Sequence, residues 1–525
     1  MNALAPRALV TARRALPQEM WLPLFISFAV LTAGLTAWML SRQYMNDATL
    51  WTWATVLTSV DADQGGFNRF VLLYPQVEYY VLTLFALVPG LKSLLLPYAM
   101  AALLAAGLLT HFTWRLLRAG LAPARALPIV ALVTLNPALI WAVSNGGGEI
   151  YGMVLYYVLA LALVGLRYSH TLRAHLVLAL VLLGFFLTDA RSVYLSLALL
   201  PVLPLAVPPH LLQRGYLAPL TIIYTPLLFM MGIWLALNWV YTRDPLHFLM
   251  DPSSPFLGAR LSAQHLPWRA AFGEKLGSSF LAAAALLVLC YPLLLLALVR
   301  TVRRSRLFEA IVVLTVTPVV ATALATAAQF TQSPADILVF VLGGVMALLT
   351  AGLLLHLPYA LVLALLAAGN VGSLVLFAWY PAAGMNAWVG AMTGQVEQPV
   401  LAGDLALGVW AQHAAPMMID ENSGYAVIAA RGSAEGLDLT FTNDFKAGVN
   451  SGQPKSEFIA VPDPTTQRGV SDQINRRFPT LYADGMAGYT RVYDHLGWRV
   501  YARYGTQAPV PVAPMQLDGH HDAAS

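Results

Sequence analysis

Apolar residues in this chain come in long unbroken runs, not at the alternating or three-to-four spacing of half-buried soluble elements. Runs of bilayer-crossing length fall at 21–41, 94–114, 126–144, 150–166, 174–188, 191–208, 216–239, 277–299, 308–327, 337–355 and 357–378. The segment 75–91 is also apolar, but it carries Glu78, begins at Pro75 and stops at Pro89-Gly90. From about Tyr380 the pattern changes. Short β-rich stretches at 425–430, 437–441, 458–461, 490–493 and 498–501 surround a predicted helix near 470–478, with turn signals such as Gly424, Gly432 and Pro462-Asp463-Pro464. The pattern predicts an all-α polytopic membrane domain of about eleven transmembrane helices over 1–379, with long outer loops at 42–93 and 240–276. A small α/β or α+β extracytoplasmic domain over 380–507 follows. The Pro-, Ala- and His-rich residues 508–525 are expected to be disordered.

Composition narrows the class. Hydrophobic residues make up 58% of the 525 and charged residues only 11%, against roughly 25% charged in soluble domains. A soluble enzyme is excluded. The net charge of +4 does not indicate a nucleic-acid partner, because the arginines are scattered over short interhelical turns. Cys290 is the single cysteine and lies inside an apolar run, so no disulfide can form within the chain. The first run follows Arg7, Arg13 and Arg14 and has no small-residue cleavage site after it; it is expected to be a retained helix.

Charge also orients the chain. If 75–91 lies in the interface and does not span, Arg115, Arg118, Arg125, Arg167, Arg173, Arg214, Arg300, Arg303, Arg304 and Arg306 share a side with the N-terminus. That side then holds 13 basic and 2 acidic residues, while the other holds 8 basic and 10 acidic before the tail. The positive-inside rule prefers this register. It places the N-terminus in the cytoplasm and the C-terminal domain, with its 14 acidic and 9 basic residues, outside the plasma membrane.

The acidic outer face holds the candidate chemistry. Loop 42–93 contains Asp61-Ala62-Asp63, Gly65-Gly66, Arg69 and Tyr74-Pro75-Gln76-Val77-Glu78-Tyr79-Tyr80. Two carboxylates two residues apart beside a diglycine suit either a divalent cation (Mg or Mn) or a general base with an orienting partner. As loop residues they equally suit solvation or a helix cap. Glu149 follows Asn145-Gly146-Gly147-Gly148 at a helix entrance, where exposed backbone N–H groups favour an anion. Asp189-Ala190-Arg191 joins two runs through almost no loop, an arrangement that also fits an internal ion pair. Arg243-Asp244-Pro245 opens the second outer loop, which carries Arg260, Arg269 and Lys275 at lipid-headgroup depth. Arginine's planar fork matches a phosphate. His111, His170, His175, His247, His265 and His356 are dispersed, with no pair at zinc-ligand spacing. The chain has no Walker loop, Rossmann fingerprint or G-x-S-x-G serine.

An N-in first helix, an acidic outer loop and a Tyr-Pro-x-x-x-Tyr-Tyr helix resemble the GT-C glycosyltransferases, nearest the polyprenyl-phosphate-mannose-type and aminoarabinose-transferase-like members. Leu135-Asn136-Pro137-Ala138, Thr188-Asp189-Ala190-Arg191 and Asn238-Trp239 through Leu246 add to the likeness, which covers about the first 380 residues. It implies inverting transfer of a sugar from a polyprenyl-phosphate donor to a lipid, glycan or protein acceptor on the outer side. A first-loop aspartate, Asp61 or Asp63, would be the general base. Arg69, Tyr74, Glu78, Glu149, Asp189, Arg191, Arg243, Asp244 and Arg260 would contact substrate or phosphate. Where many members carry Pro-Pro, this chain has Tyr74-Pro75-Gln76, a departure at the expected sugar and phosphate contacts. Two rival readings are a lipid or glycan transporter and a non-catalytic cell-envelope assembly factor.

Overall fold

The computed structural model describes residues 20–61, 76–88, 90–169, 171–188, 191–207, 215, 217–250, 276–302, 307–328, 333–379, 384–394, 399–506 and 509. The chain divides into two compact units. Met1–Thr49, Val71–Tyr80 and Leu95–Val396 form the first; Leu50–Phe70, Val81–Leu94 and Glu397–Ser525 form the second.

The first unit is helical and multi-pass. Its helices are α1 (Trp21–Ser41), the start of α2 (Asp47–Asp61), the start of α3 (Val77–Ala86), α4 (Leu96–Arg118), α5 (Pro123–Thr134), α6 (Pro137–Ser144), α7 (Gly148–Ser169) and α8 (Leu172–Thr188). They continue with α9 (Ser192–Ala206), α10 (Leu217–Thr242), α11 (Leu276–Cys290), α12 (Pro292–Thr301), α13 (Leu307–Ala327), α14 (Val341–Thr350), α15 (Tyr359–Trp379) and α16 (Met385–Thr393). Among the described residues, six helices (α1, α4, α7, α10, α13 and α15) are long and apolar enough to cross a membrane. Two further runs are broken, α5–α6 bent by 62° and α11–α12 by 92°. Each break carries a proline, Pro137 or Pro292, which removes a helical N–H and clashes with the preceding turn. The remaining three runs form helices shorter than 18 residues: α8, α9 and the 335–350 segment. The eleven apolar runs of the sequence thus become six full-length helices, two broken ones and three short ones. Helix α3 has 10 residues, about 15 Å of rise. That is half of a hydrocarbon core of roughly 30 Å.

Backbone groups freed at the breaks are satisfied within the protein, as a bilayer requires. Asn136 caps α6 by accepting from the Ala138 amide (2.9 Å) and donates through Nδ2 to Asn370 Oδ1 (2.8 Å); Asn370 Nδ2 donates in turn to Leu132 O (2.9 Å). At the other break, Gly372 of α15 lies against the Leu289 carbonyl, where a Cβ would sit 2.1 Å from the oxygen. Only glycine fits there. Buried tyrosines tie helices together through backbone carbonyls: Tyr156 donates to Leu314 O (2.8 Å), Tyr224 to Ser196 O (2.8 Å) and Tyr291 to Leu338 O (2.9 Å). Each such bond is worth a net ~1 kcal/mol and also fixes helix rotation.

The second unit contains a five-stranded sheet in the order β2-β1-β3-β5-β4. The strands are β1 (Met417–Met418), β2 (Leu437–Asp438), β3 (Phe458–Pro462), β4 (Tyr489–His495) and β5 (Trp498–Arg503). β1 runs parallel to both neighbours, while β3–β5 and β4–β5 are antiparallel. The helices are α17 (Pro399–Trp410), α18 (Glu421–Arg431), α19 (Asn443–Ser451), α20 (Gln467–Ser471) and α21 (Gln473–Arg477). The expected strand at 425–430 is instead the body of α18. Asp420 caps its first turn by accepting from the Asn422 amide, and Gly432 ends it in a left-handed conformation (φ +76°). These end signals overrode the apolar run between them. Met418, Phe445, Ile459, Val461, Ile474, Leu481 and Tyr501 form the core.

Candidate functional site

The membrane unit gathers polar side chains where α7 begins. Asn145 is the hub. Its Oδ1 accepts from the Tyr44 hydroxyl (2.6 Å) and from Asn46 Nδ2, and its carbonyl accepts from Thr49 Oγ1 (2.8 Å). Asn46 caps α2 by accepting from the Ala48 and Thr49 amides, and its own amide donates to the Tyr98 hydroxyl (3.2 Å). Trp388 Nε1 donates to Ser144 Oγ (2.8 Å) one residue earlier. The turn is therefore held from the link between α1 and α2, from α4 and from α16 at once.

Three glycines then carry the chain into α7. Gly146 has φ +71° and packs under Tyr98, whose ring a Cβ would strike at 2.7 Å. At Gly147 a Cβ would lie 3.0 Å from both Glu149 Oε2 and Thr49 Oγ1; at Gly148 it would lie 3.6 Å from Glu78 Oε2 and 3.8 Å from Thr188 O. The missing side chains let the backbone pack closely beside two carboxylates at a helix N-terminus. Glu78 is 5% exposed, and Glu149 is half-buried. Thr188, the last residue of α8, borders the same space. Three positions on, the Arg191 guanidinium pairs with the buried Asp336 (3.0 Å).

Glu78, Glu149 and Arg191 were all singled out in the sequence, and the structure brings the two glutamates together. Arg191 finds its partner in Asp336, a residue that sequence reasoning missed. The signal was Ser333-Pro334-Ala335-Asp336, a capping-box spacing: the Ser333 amide donates to Asp336 Oδ2 (3.1 Å) and Ser333 Oγ accepts from the Ala335 amide (3.1 Å). Arg243 (φ +64°) and Asp244 are exposed in a turn, where Asp244 Oδ1 accepts from the Leu246 amide (2.9 Å). That bond is a local cap. Asp63, Arg69, Tyr74, Asp189 and Arg260 lie outside the described residues.

Asp61 belongs to the second unit, at the end of α2. Its side chain is 6% exposed and forms an ion pair with Lys92. It also accepts from Ser433 Oγ (2.9 Å) and the Ala434 amide (3.2 Å). Arg431 stands nearby, held by the Ala411 and Ser433 carbonyls (2.8 and 2.7 Å). Burial lowers the Arg431 pKa from its usual value, while Asp61 and Glu435 oppose that shift.

Other buried carboxylates of this unit serve its frame. Asp404, fully buried, pairs with Arg468 and accepts from Trp498 Nε1 (2.7 Å). Asp420 accepts from the Asn422 and Gln473 amides, and Asp472 from the Asn475 amide and Ser423 Oγ (2.6 Å). Each aspartate thus caps its own helix and reaches the start of the other. Burial pushes the Asp472 carboxyl up to about 7, against its hydrogen bonds, and nearby Asp420 adds to the rise. Asp420 is raised for the same first reason. Among the described residues no group of three or more His, Cys, Asp or Glu is arranged to hold a metal ion.

No family model matches the chain, nor does any curated protein. Among solved structures, ArnT from Cupriavidus metallidurans, in a crystal structure bound to undecaprenyl phosphate, is similar in fold. The TM-score is 0.54, the likeness covers 96% of this chain and 100% of that one, and the identity is 14%.

Proposed function

We propose that this protein is a GT-C-type membrane glycosyltransferase that moves a sugar from a polyprenyl-phosphate donor to an acceptor hydroxyl on the outer face of the plasma membrane. The observation that carries the reading is the fold shared along nearly the whole of both chains with a protein that binds undecaprenyl phosphate. The gathering of Glu78, Glu149 and Thr188 around the glycines that open α7 supports it. A site at a helix N-terminus suits an anionic group, and Arg191, oriented by Asp336, supplies a cation for the phosphate.

In this scheme the acceptor oxygen attacks the anomeric carbon, the carbon–oxygen bond to phosphate breaks with inversion, and polyprenyl phosphate leaves. The acceptor's proton passes to a carboxylate, a contribution of roughly 10²–10⁴-fold. Fixed positive charge at the leaving oxygens adds to it. Asp61 is held by Lys92, Ser433 and the Ala434 amide, so its charge is already engaged and we assign it to anchoring α2. Asp63 is then the first-loop base, and Glu78 and Glu149 line the sugar and acceptor space.

The test is release of undecaprenyl phosphate from a panel of pentose, aminopentose and hexose donors by purified protein. Turnover with one donor, lost in Asp63→Asn and kept in Asp61→Asn, is expected. No turnover with any donor would overturn the enzymatic reading in favour of a transporter or an assembly factor.

A further inference from the structure

A cavity of about 150 Å³ opens on the C-terminal unit, and every residue that lines it belongs to that unit. One wall is polar. The Arg468 guanidinium, 20% exposed, pairs with the fully buried Asp404 and donates to the Tyr425 hydroxyl (2.8 Å), and Asp404 also accepts from Trp498 Nε1 (2.7 Å). Pro462, Leu496 and Trp498 make the lining otherwise apolar. Leu496 and Gly497 form the two-residue turn between β4 and β5, with φ +45° and +83°. Such a turn favours Asn or Asp before the glycine, yet here the position holds a leucine that is 46% exposed. Its backbone is pinned. The Gly497 carbonyl accepts from the Asp463 amide (2.8 Å), and Gly403 of α17 comes so near the Leu496 carbonyl that a Cβ would lie 2.3 Å from the oxygen. Leu496 stands outside the apolar core around Met418 and Ile459; what it shapes is the cavity wall.

We propose that this cavity binds one neutral pyranose unit of a glycan. The inference goes beyond the glycosyltransferase reading and does not depend on it. Size sets the first limit: an apolar cavity of about 150 Å³ admits benzene, so there is room for one six-membered ring and little more. Charge sets the second. Asp404 already balances Arg468, so a phosphate or carboxylate would meet a matched cation and be repelled by the buried carboxylate behind it. Hydroxyl groups carry no net charge and both donate and accept, which suits a wall made of an ion pair. A sugar ring also presents C–H faces, and Pro462, Leu496 and Trp498 can cover them. A purely aromatic group would fill the apolar part but leave the ion pair desolvated without a hydrogen bond in return. The Tyr425 and Trp498 bonds fix the pair before any ligand arrives, which lowers the ordering cost of binding.

The experiment titrates the purified full-length protein, in a detergent without a sugar headgroup, and follows binding by saturation-transfer NMR. The probes are the methyl pyranosides of glucose, galactose and mannose, with glucuronate, inorganic phosphate and phenol for comparison. Replacing Arg468 would strand the buried Asp404, so the test variant is Leu496→Gly, which removes an apolar wall and relaxes a left-handed backbone. Its thermal melt should therefore not fall below the parent's. Val470→Ala, at an exposed position outside the cavity lining, is the control. At least one neutral pyranoside should bind with a Kd on the order of 1 mM. Leu496→Gly should weaken it by about fivefold or more, and Val470→Ala should leave it unchanged. Equal pyranoside binding by the parent and Leu496→Gly overturns the cavity as the seat. Tighter binding of glucuronate or phosphate would make it an anion site, and tighter binding of phenol a seat for an aromatic side chain; either overturns the proposal. So does the absence of saturable binding by all three pyranosides, and none of these results bears on turnover of a polyprenyl-phosphate donor.

Discussion

In the C-terminal unit, Asp404, Asp420 and Asp472 are as deeply buried as the apolar core around them, and their carboxylate oxygens are taken up by the frame. One pairs with Arg468 and Trp498, and the other two cross-cap α18 and α21. In the membrane unit, Glu78 and Glu149 stand beside Gly147 and Gly148, where the backbone carries no side chain to fill the space. Burial alone therefore does not mark a site. What distinguishes the two regions is the neighbour: helix amides and side chains that cross-link two elements in one, a glycine backbone at a helix start in the other.

That contrast can be broken by substitution. The largest effect is expected at the glutamates. Glu78→Gln and Glu149→Gln keep shape but remove charge, and at least one should lower turnover of a polyprenyl-phosphate donor by about 10²-fold or more, with the thermal melt of the purified protein little changed. Wild-type turnover in both variants would place the chemistry elsewhere. Asp404→Asn should do the reverse. It leaves the Arg468 guanidinium without its buried counter-ion, a loss of roughly 3–5 kcal/mol, read as earlier proteolysis of the C-terminal unit in denaturant.

Next comes a pH effect of a few kcal/mol at most. The Asp472 carboxyl rises from 3.8 to about 7 on folding, so the folded state binds its proton more tightly than the unfolded state. Its contribution is most favourable below about pH 4, declines as the pH climbs to about 7, and is flat above. Asp472→Asn can still cap Asn475 and meet Ser423, so the variant should gain stability relative to the parent across that window. A difference independent of pH would remove the burial argument. The smallest effect is expected at Asp61→Asn. Asparagine can still accept from Ser433 and Ala434, and the Lys92 partner is one-third exposed, so solvent screening limits the loss to ~1 kcal/mol. Turnover should stay within about threefold of the parent; a hundredfold fall would return the base role to Asp61.

Much of this was legible along the chain. The multi-pass membrane class and the strands near 437, 458, 490 and 498 follow from local pattern. The misread stretch, 425–430, had an apolar composition compatible with either period, and its caps at Asp420 and Gly432 were the stronger signal. Asp61 looked like a free loop carboxylate because Lys92 and Ser433, 31 and 372 residues away, leave no local trace.

The sequence by itself determined the class of the molecule: runs of apolar residues of bilayer length admit no soluble fold, because their exposure to water would cost far more than any core could recover. Proline placement likewise determined where α5–α6 and α11–α12 break. Tertiary structure alone decided which polar residues meet. Glu78 reaches Gly148 across 70 residues of chain, and Arg191 reaches Asp336 across 145, through helix packing that depends on shape at distant positions such as Gly372. Periodicity states which face of a helix is buried, but only the packed bundle states what that face touches.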